Sequence, residues 1–137
     1  MRNGSICLIV ILAFGLTAAG QAPTKKWKVV QVVQLTEQTA TIPATTIFTP
    51  TTVQLYRLSV YLDCGGHGVD SGEYWEFQVG WTSNGGGLSG SCGAGGASGQ
   101  TVPFIGKVGT PVFYEIEAGP RTATFPYTLE LAIEQLE

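Results

Sequence analysis

Histidine is all but absent from this chain: one residue, His67, stands among 137. A nucleophilic serine needs a base and an orienting acid, so any such relay would hang on that ring. No serine lies in a Gly-x-Ser-x-Gly elbow either. Zinc coordination wants several His or Cys at close spacing, which one histidine and three scattered cysteines do not offer. Basic residues are equally scarce, with seven Lys and Arg against ten Asp and Glu. Nucleic-acid binders cluster their cations, so no nucleic-acid partner is expected. Lys25, Lys26 and Lys28 form the one basic cluster, and three lysines in a short run read as a solvated arm. Helical periodicity, heptads and internal repeats are missing after residue 21.

What the chain does have begins at its start. Met1 to Ser5 carries one basic side chain, and Ile6 to Leu16 follows as eleven apolar residues without a charge. That order is the n-region and h-region of a secretory signal. Eleven residues fall well short of the roughly 20 that span a bilayer as a helix, so no stable membrane anchor is expected. The small residues Ala18, Ala19 and Gly20 end the run and place cleavage after Gly20, with Ala22 as second choice. Gln21 follows the cut, where a lipid anchor would require cysteine. Residues 1–20 thus read as signal peptide and 21–137 as a single domain, a length sufficient for one core. The expected location is secreted or periplasmic.

Once Cys7 leaves with the signal, Cys64 and Cys92 remain. An even count in an exported chain favours a disulfide. Closing that loop is worth about 3 to 4 kcal/mol in the chain-entropy model. Free buried thiols and half of a metal site are the competing readings.

Period-two alternation recurs through the rest, and it marks strands. In Leu55 to Leu62, Tyr56, Leu58, Val60 and Leu62 take one face, with Arg57, Ser59 and Tyr61 on the other. Tyr74 to Trp81 sets Trp75, Phe77, Val79 and Trp81 inward. Pro111 to Glu117 and a long strand from Tyr127 alternate too, and shorter strands are expected at Lys28 to Leu35, Thr45 to Phe48 and Thr101 to Val108. Prolines at the strand ends break no central ladder bond. Two glycine-rich stretches read as loops: Asp63 to Gly72, and Asn84 to Gly99 with eight glycines in sixteen residues. High backbone entropy predicts that the second is mobile except near Cys92. A Cys64–Cys92 bridge would then tie two loops flanking the Tyr74 to Trp81 strand.

Candidate chemistry is thin. Asp63, His67, Asp70 and Glu73 could offer oxygens to Ca²⁺, but the glycines among them argue for turn chemistry and the order matches no EF-hand. Glu115 and Glu117 share one strand face, about 7 Å apart at Cα, a spacing of interest for a glycosidase pair. Alternation produces such pairs on solvent faces anyway, as it does for Glu130 and Glu134. No catalytic, cofactor-binding or metal-ligating residue is assigned, and no cofactor is expected. Trp75 and Trp81 belong to the core. Trp27, Tyr61 and Tyr74 are the candidate binding surface, Tyr61 and Tyr74 because they face outward and Trp27 because, beside the lysines at the mature N-terminus, it is the freer ring.

The run Ile42-Pro43-Ala44-Thr45-Thr46-Ile47-Phe48-Thr49-Pro50, followed by Leu55-Tyr56-Arg57-Leu58-Ser59-Val60-Tyr61-Leu62, resembles the opening strands of small jelly-roll domains of phage fibres and exported bacterial proteins. These are broadly similar to the C1q and tumour-necrosis-factor type. Val79-Gly80-Trp81-Thr82 and Tyr127-Thr128-Leu129-Glu130-Leu131 fit the same likeness, which covers most of the domain. It implies an antiparallel two-sheet β-sandwich that assembles as a trimer and serves binding or structure. No functional residue carries over, because these motifs are strand and turn residues. The expectation is an all-β, jelly-roll-like, non-enzymatic exported module with a role in adhesion or assembly. Its partner would be another copy, or an extracellular glycan or protein. A carbohydrate-binding or carbohydrate-cleaving domain is the alternative.

Overall fold

A computed structural model describes residues 24–66, 72–81, 86–119 and 123–137. The proposed signal peptide, His67 and Asp70 lie outside the described residues. Among the described residues eight strands follow one another: β1 (Trp27–Gln38), β2 (Ile42–Phe48), β3 (Gln54–Cys64), β4 (Tyr74–Gly80), β5 (Gly87–Gly93), β6 (Ala97–Gly106), β7 (Val112–Ala118) and β8 (Tyr127–Leu136). They form two four-stranded antiparallel sheets. Sheet A has the order β1-β8-β3-β6 and sheet B the order β2-β7-β4-β5.

The pairings β1–β8, β2–β7, β3–β6 and β4–β5 are those of one long hairpin whose arms have been wound together. Added contacts of β3 with β8 and of β4 with β7 complete the winding. This is a jelly-roll sandwich. The alternation read from the sequence sets the inner faces. Tyr56, Leu58, Val60 and Leu62 of β3, Trp75, Phe77 and Val79 of β4, and Val112, Tyr114 and Ile116 of β7 are all buried. β8 adds Tyr127, Leu129, Leu131 and Ile133. Each such large apolar side chain contributes roughly 1.5–3 kcal/mol on burial, so the inner faces hold the sheets together. Trp81 lies one residue beyond β4, half-buried, with its ring 5.2 Å from that of Phe104.

Three expectations need correction, two of them on strand bounds and the third on the cysteines. The glycine-rich stretch before Gly99 is not simply a loop: from Gly87 it forms β5, the Ala94–Gly95 turn and the start of β6. Its glycines serve close packing. A Cβ on Gly90 would sit 2.6 Å from Ser98 Oγ and 2.8 Å from the Phe77 ring, so only glycine lets β5 lie against these neighbours. Aromatic rings cover glycines elsewhere too, Phe113 over Gly80 and Tyr74 over Gly119. Pro103 is also not at a strand end. It lies within β6, opposite Arg57, and is tolerated because β6 is an edge strand.

Cys64 and Cys92 are disulfide-bonded, with Cα atoms 5.9 Å apart. They are strand residues, not loop residues: Cys64 ends β3 in sheet A and Cys92 belongs to β5 in sheet B. The bond therefore staples sheet to sheet across the core. Around it the β5–β6 turn docks on the end of β3, where Cys64 N–H donates to Gly96 O and Gly95 N–H donates to Cys64 O, both at 2.9 Å. The bridge is compatible with an extracellular or periplasmic location.

Candidate binding face

Outward positions of sheet A align in rows across its four strands. Val29, Glu134, Arg57 and Pro103 make one row. Val32, Ala132, Ser59 and Thr101 make the next, followed by Gln34, Glu130, Tyr61 and Gly99. The last two rows enclose an open hollow of about 500 Å³. Its floor is low because Ala132, Ser59 and Gly99 are small. Tyr61 stands in it, and the Cδ2–Cε2 edge of its ring leans over Gly99, where a Cβ would come within 3.1 Å. Tyr61 keeps 46% of its surface open to solvent.

Polar groups line the hollow beside that ring. Gln34 Nε2 donates to Glu130 Oε1 at 3.3 Å, and Thr101 Oγ1 donates to Ser59 Oγ at 3.1 Å. Apolar groups flank them, since Val29, Val32, Tyr61 and Ile105 are each 46–55% exposed and all face outward from sheet A. Among the described residues only Val53 and Val108 join them as large exposed hydrophobics, and both lie just beyond the Gln54–Gly106 end of the same sheet.

Trp27 shares this face but is not the free ring expected. The Arg57 guanidinium reaches across β8 and lies 4.7 Å from the indole centroid, while Arg57 Nε bonds Glu134 Oε2 at 2.6 Å. Glu134 holds the guanidinium pKa up, and the same hydrogen bond pulls the Glu134 carboxyl below the ordinary carboxylate range. Trp27 thus belongs to a stacked triad that anchors the edge strand β1. Tyr74 is on the opposite side of the sandwich, over Gly119 on the outer face of sheet B. The three aromatic candidates therefore do not converge, and Tyr61 alone lines a hollow.

The outer face of sheet B has a different character. Glu115 and Glu117 point outward from β7 opposite Gln78 and Glu76, which sets Glu117 directly against another acid. Glu73 Oε2 accepts from Thr124 N–H and Thr124 Oγ1 at 3.2 and 3.0 Å, a bond that fastens a loop. Asp63 is exposed at the outer end of β3. No group of three or more His, Cys, Asp or Glu among the described residues could hold a metal ion.

Sequence reasoning missed the partners of Tyr61. Alternation put Ser59 outward, but only the order β1-β8-β3-β6 brings Gln34, Glu130 and Thr101 beside it. No protein-family model matches the chain, and no curated protein matches it. Fold and face together define a class: a small jelly-roll sandwich, stapled between its sheets, with one amphipathic outer face.

Proposed function

We propose that the protein is an exported, non-enzymatic module that works in adhesion or assembly outside the cell, through the outer face of sheet A. The observation that carries this reading is the exposure of Val29, Val32, Tyr61 and Ile105 on that face, whereas among the described residues no large hydrophobic of sheet B is exposed. Soluble surfaces seldom gather large apolar side chains unless something covers them. Export rests on the Met1 to Gly20 leader pattern, and the inter-sheet disulfide suits an oxidising compartment. A role in cohesion also suits a rigid scaffold whose sheets are covalently joined. Under this reading residues 21–137 act as one domain, and its partner is a further copy, as in the trimers of similar jelly rolls, or an extracellular polymer.

Charge placed on one face at a time tests the reading. The double variant Val32→Lys/Ile105→Lys marks sheet A, and Thr46→Lys/Ser91→Lys marks sheet B as control. The secreted protein should begin at Gln21 and weigh two hydrogens less than its reduced form. Wild type and the sheet B control should be retained in assemblies or on the envelope of the producing cells. The sheet A variant should be released as monomer. Equal retention of all three would contradict the reading.

A further inference from the structure

The geometry points to the Tyr61 hollow as a binding site for a neutral pyranose within an extracellular glycan. This inference rests on the module reading above and names a ligand for its face. A pyranose ring has an apolar C–H side and a rim of hydroxyls, and the hollow offers a counterpart to each. Tyr61 presents a half-exposed aromatic surface that leans on Gly99, where an added Cβ would come within 3.1 Å of the ring. Beside the ring stand an amide and a carboxylate, from Gln34 and Glu130, and two hydroxyls, from Ser59 and Thr101. These groups already bond one another, so their hydrogen-bonding edges are oriented before a ligand arrives. Preorganised polar groups around an apolar platform cost little ordering on binding.

Charge narrows the class of sugar. Glu130 is the one charged group lining the hollow, so an acidic sugar would bring like charge against it. Neutral hexoses and their N-acetylated amino sugars meet no such penalty. Shape narrows it further: the hollow is open and crosses all four strands of sheet A, about 14 Å at the usual strand spacing. That suits a short stretch of a polysaccharide chain better than an enclosed monosaccharide. A protein partner would instead be expected to engage Val29 and Ile105 as well, which lie on the same face outside the hollow, and the test separates the two.

The mature, oxidised protein is applied to an array of immobilised oligosaccharides ending in glucose, galactose, mannose or N-acetylglucosamine, beside sialylated and uronic-acid oligosaccharides. Retained oligosaccharides are then titrated in solution against Tyr61→Ala, Tyr61→Phe, Glu130→Gln and Tyr74→Ala. Expected are retention of neutral oligosaccharides, a loss of at least about tenfold in affinity for Tyr61→Ala, the order of one aromatic contact, and affinity near wild type for Tyr61→Phe and Tyr74→Ala. Glu130→Gln should admit acidic oligosaccharides. No retention of any neutral oligosaccharide, a preference for acidic ones, or unchanged affinity in Tyr61→Ala would each overturn the inference. Should the array stay blank while the sheet A lysine variant is still released from cells, the glycan inference falls and the module reading stands.

Discussion

Tyr127 begins β8 almost fully buried, its ring 4.7 Å from that of Trp75, and its hydroxyl donates to the Ala40 carbonyl at 2.8 Å. Burial, with Tyr114 adding to it, pushes the Tyr127 pKa up to about 12. A raised folded-state value means that the stability supplied by the neutral phenol is complete below the ordinary value near 10 and lost as pH climbs through about 12. Tyr127→Phe should therefore cost about 1 kcal/mol at neutral pH, from the orphaned Ala40 carbonyl, and flatten the alkaline decline. Denaturant midpoints from pH 7 to 12 measure both, and a variant with wild-type midpoints throughout would refute the assignment. The Arg57–Glu134 pair behaves with opposite sign. Its lowered carboxyl value places the stabilisation above the ordinary carboxylate pKa and removes it as pH falls through the depressed one. Glu134→Gln should be less stable than wild type at pH 7 and equal to it in strong acid, and a gap independent of pH would count against the pair. Arg57 over Trp27 was not legible beforehand, because 30 positions and an intervening strand separate the two in sequence.

At the scale of elements, β3, β4, β7 and β8 were legible because each sets large apolar residues at three or more alternate positions. β5 was not, since Gly87-Leu88-Ser89-Gly90-Ser91-Cys92-Gly93 offers only Leu88 and Cys92 as inward side chains. Its place is settled by what surrounds it. Phe77 and Ser98 fill the space that a side chain at Gly90 would need. Gly90→Val should accordingly destabilise the fold by roughly 1–3 kcal/mol through overpacking. Gly93→Ala, whose Cβ would come no nearer than 3.6 Å to the Glu73 carbonyl, should stay within about 0.5 kcal/mol of wild type. Thermal unfolding of the two variants checks this, and equal midpoints would mean that β5 does not pack as described. The strand order was beyond local reading altogether, since every pairing within sheet A joins residues distant in sequence. For the same reason Tyr61 could be placed outward while its hollow could not be foreseen.

The whole molecule is two sheets closed over one core, with the Cys64–Cys92 bond as the covalent link between them. Removing it should cost about 3 to 4 kcal/mol, the chain-entropy value for such a loop. Cys64→Ala/Cys92→Ala should therefore lower the denaturant midpoint while leaving the β-sheet circular dichroism intact, and an unchanged midpoint would deny the staple its role. With that link in place the two outer faces are held rigidly on opposite sides of the core, one acidic and one amphipathic. The central claim is that the amphipathic one is the contact surface. Hydroxyl-radical footprinting of the mature protein, free and held on the envelope of its producing cells, tests this most directly. Oxidation of Tyr61, Val32 and Ile105 should fall on binding while Tyr74 and Phe113 react as before. Undiminished oxidation at Tyr61, or protection confined to Tyr74 and Phe113, would contradict it.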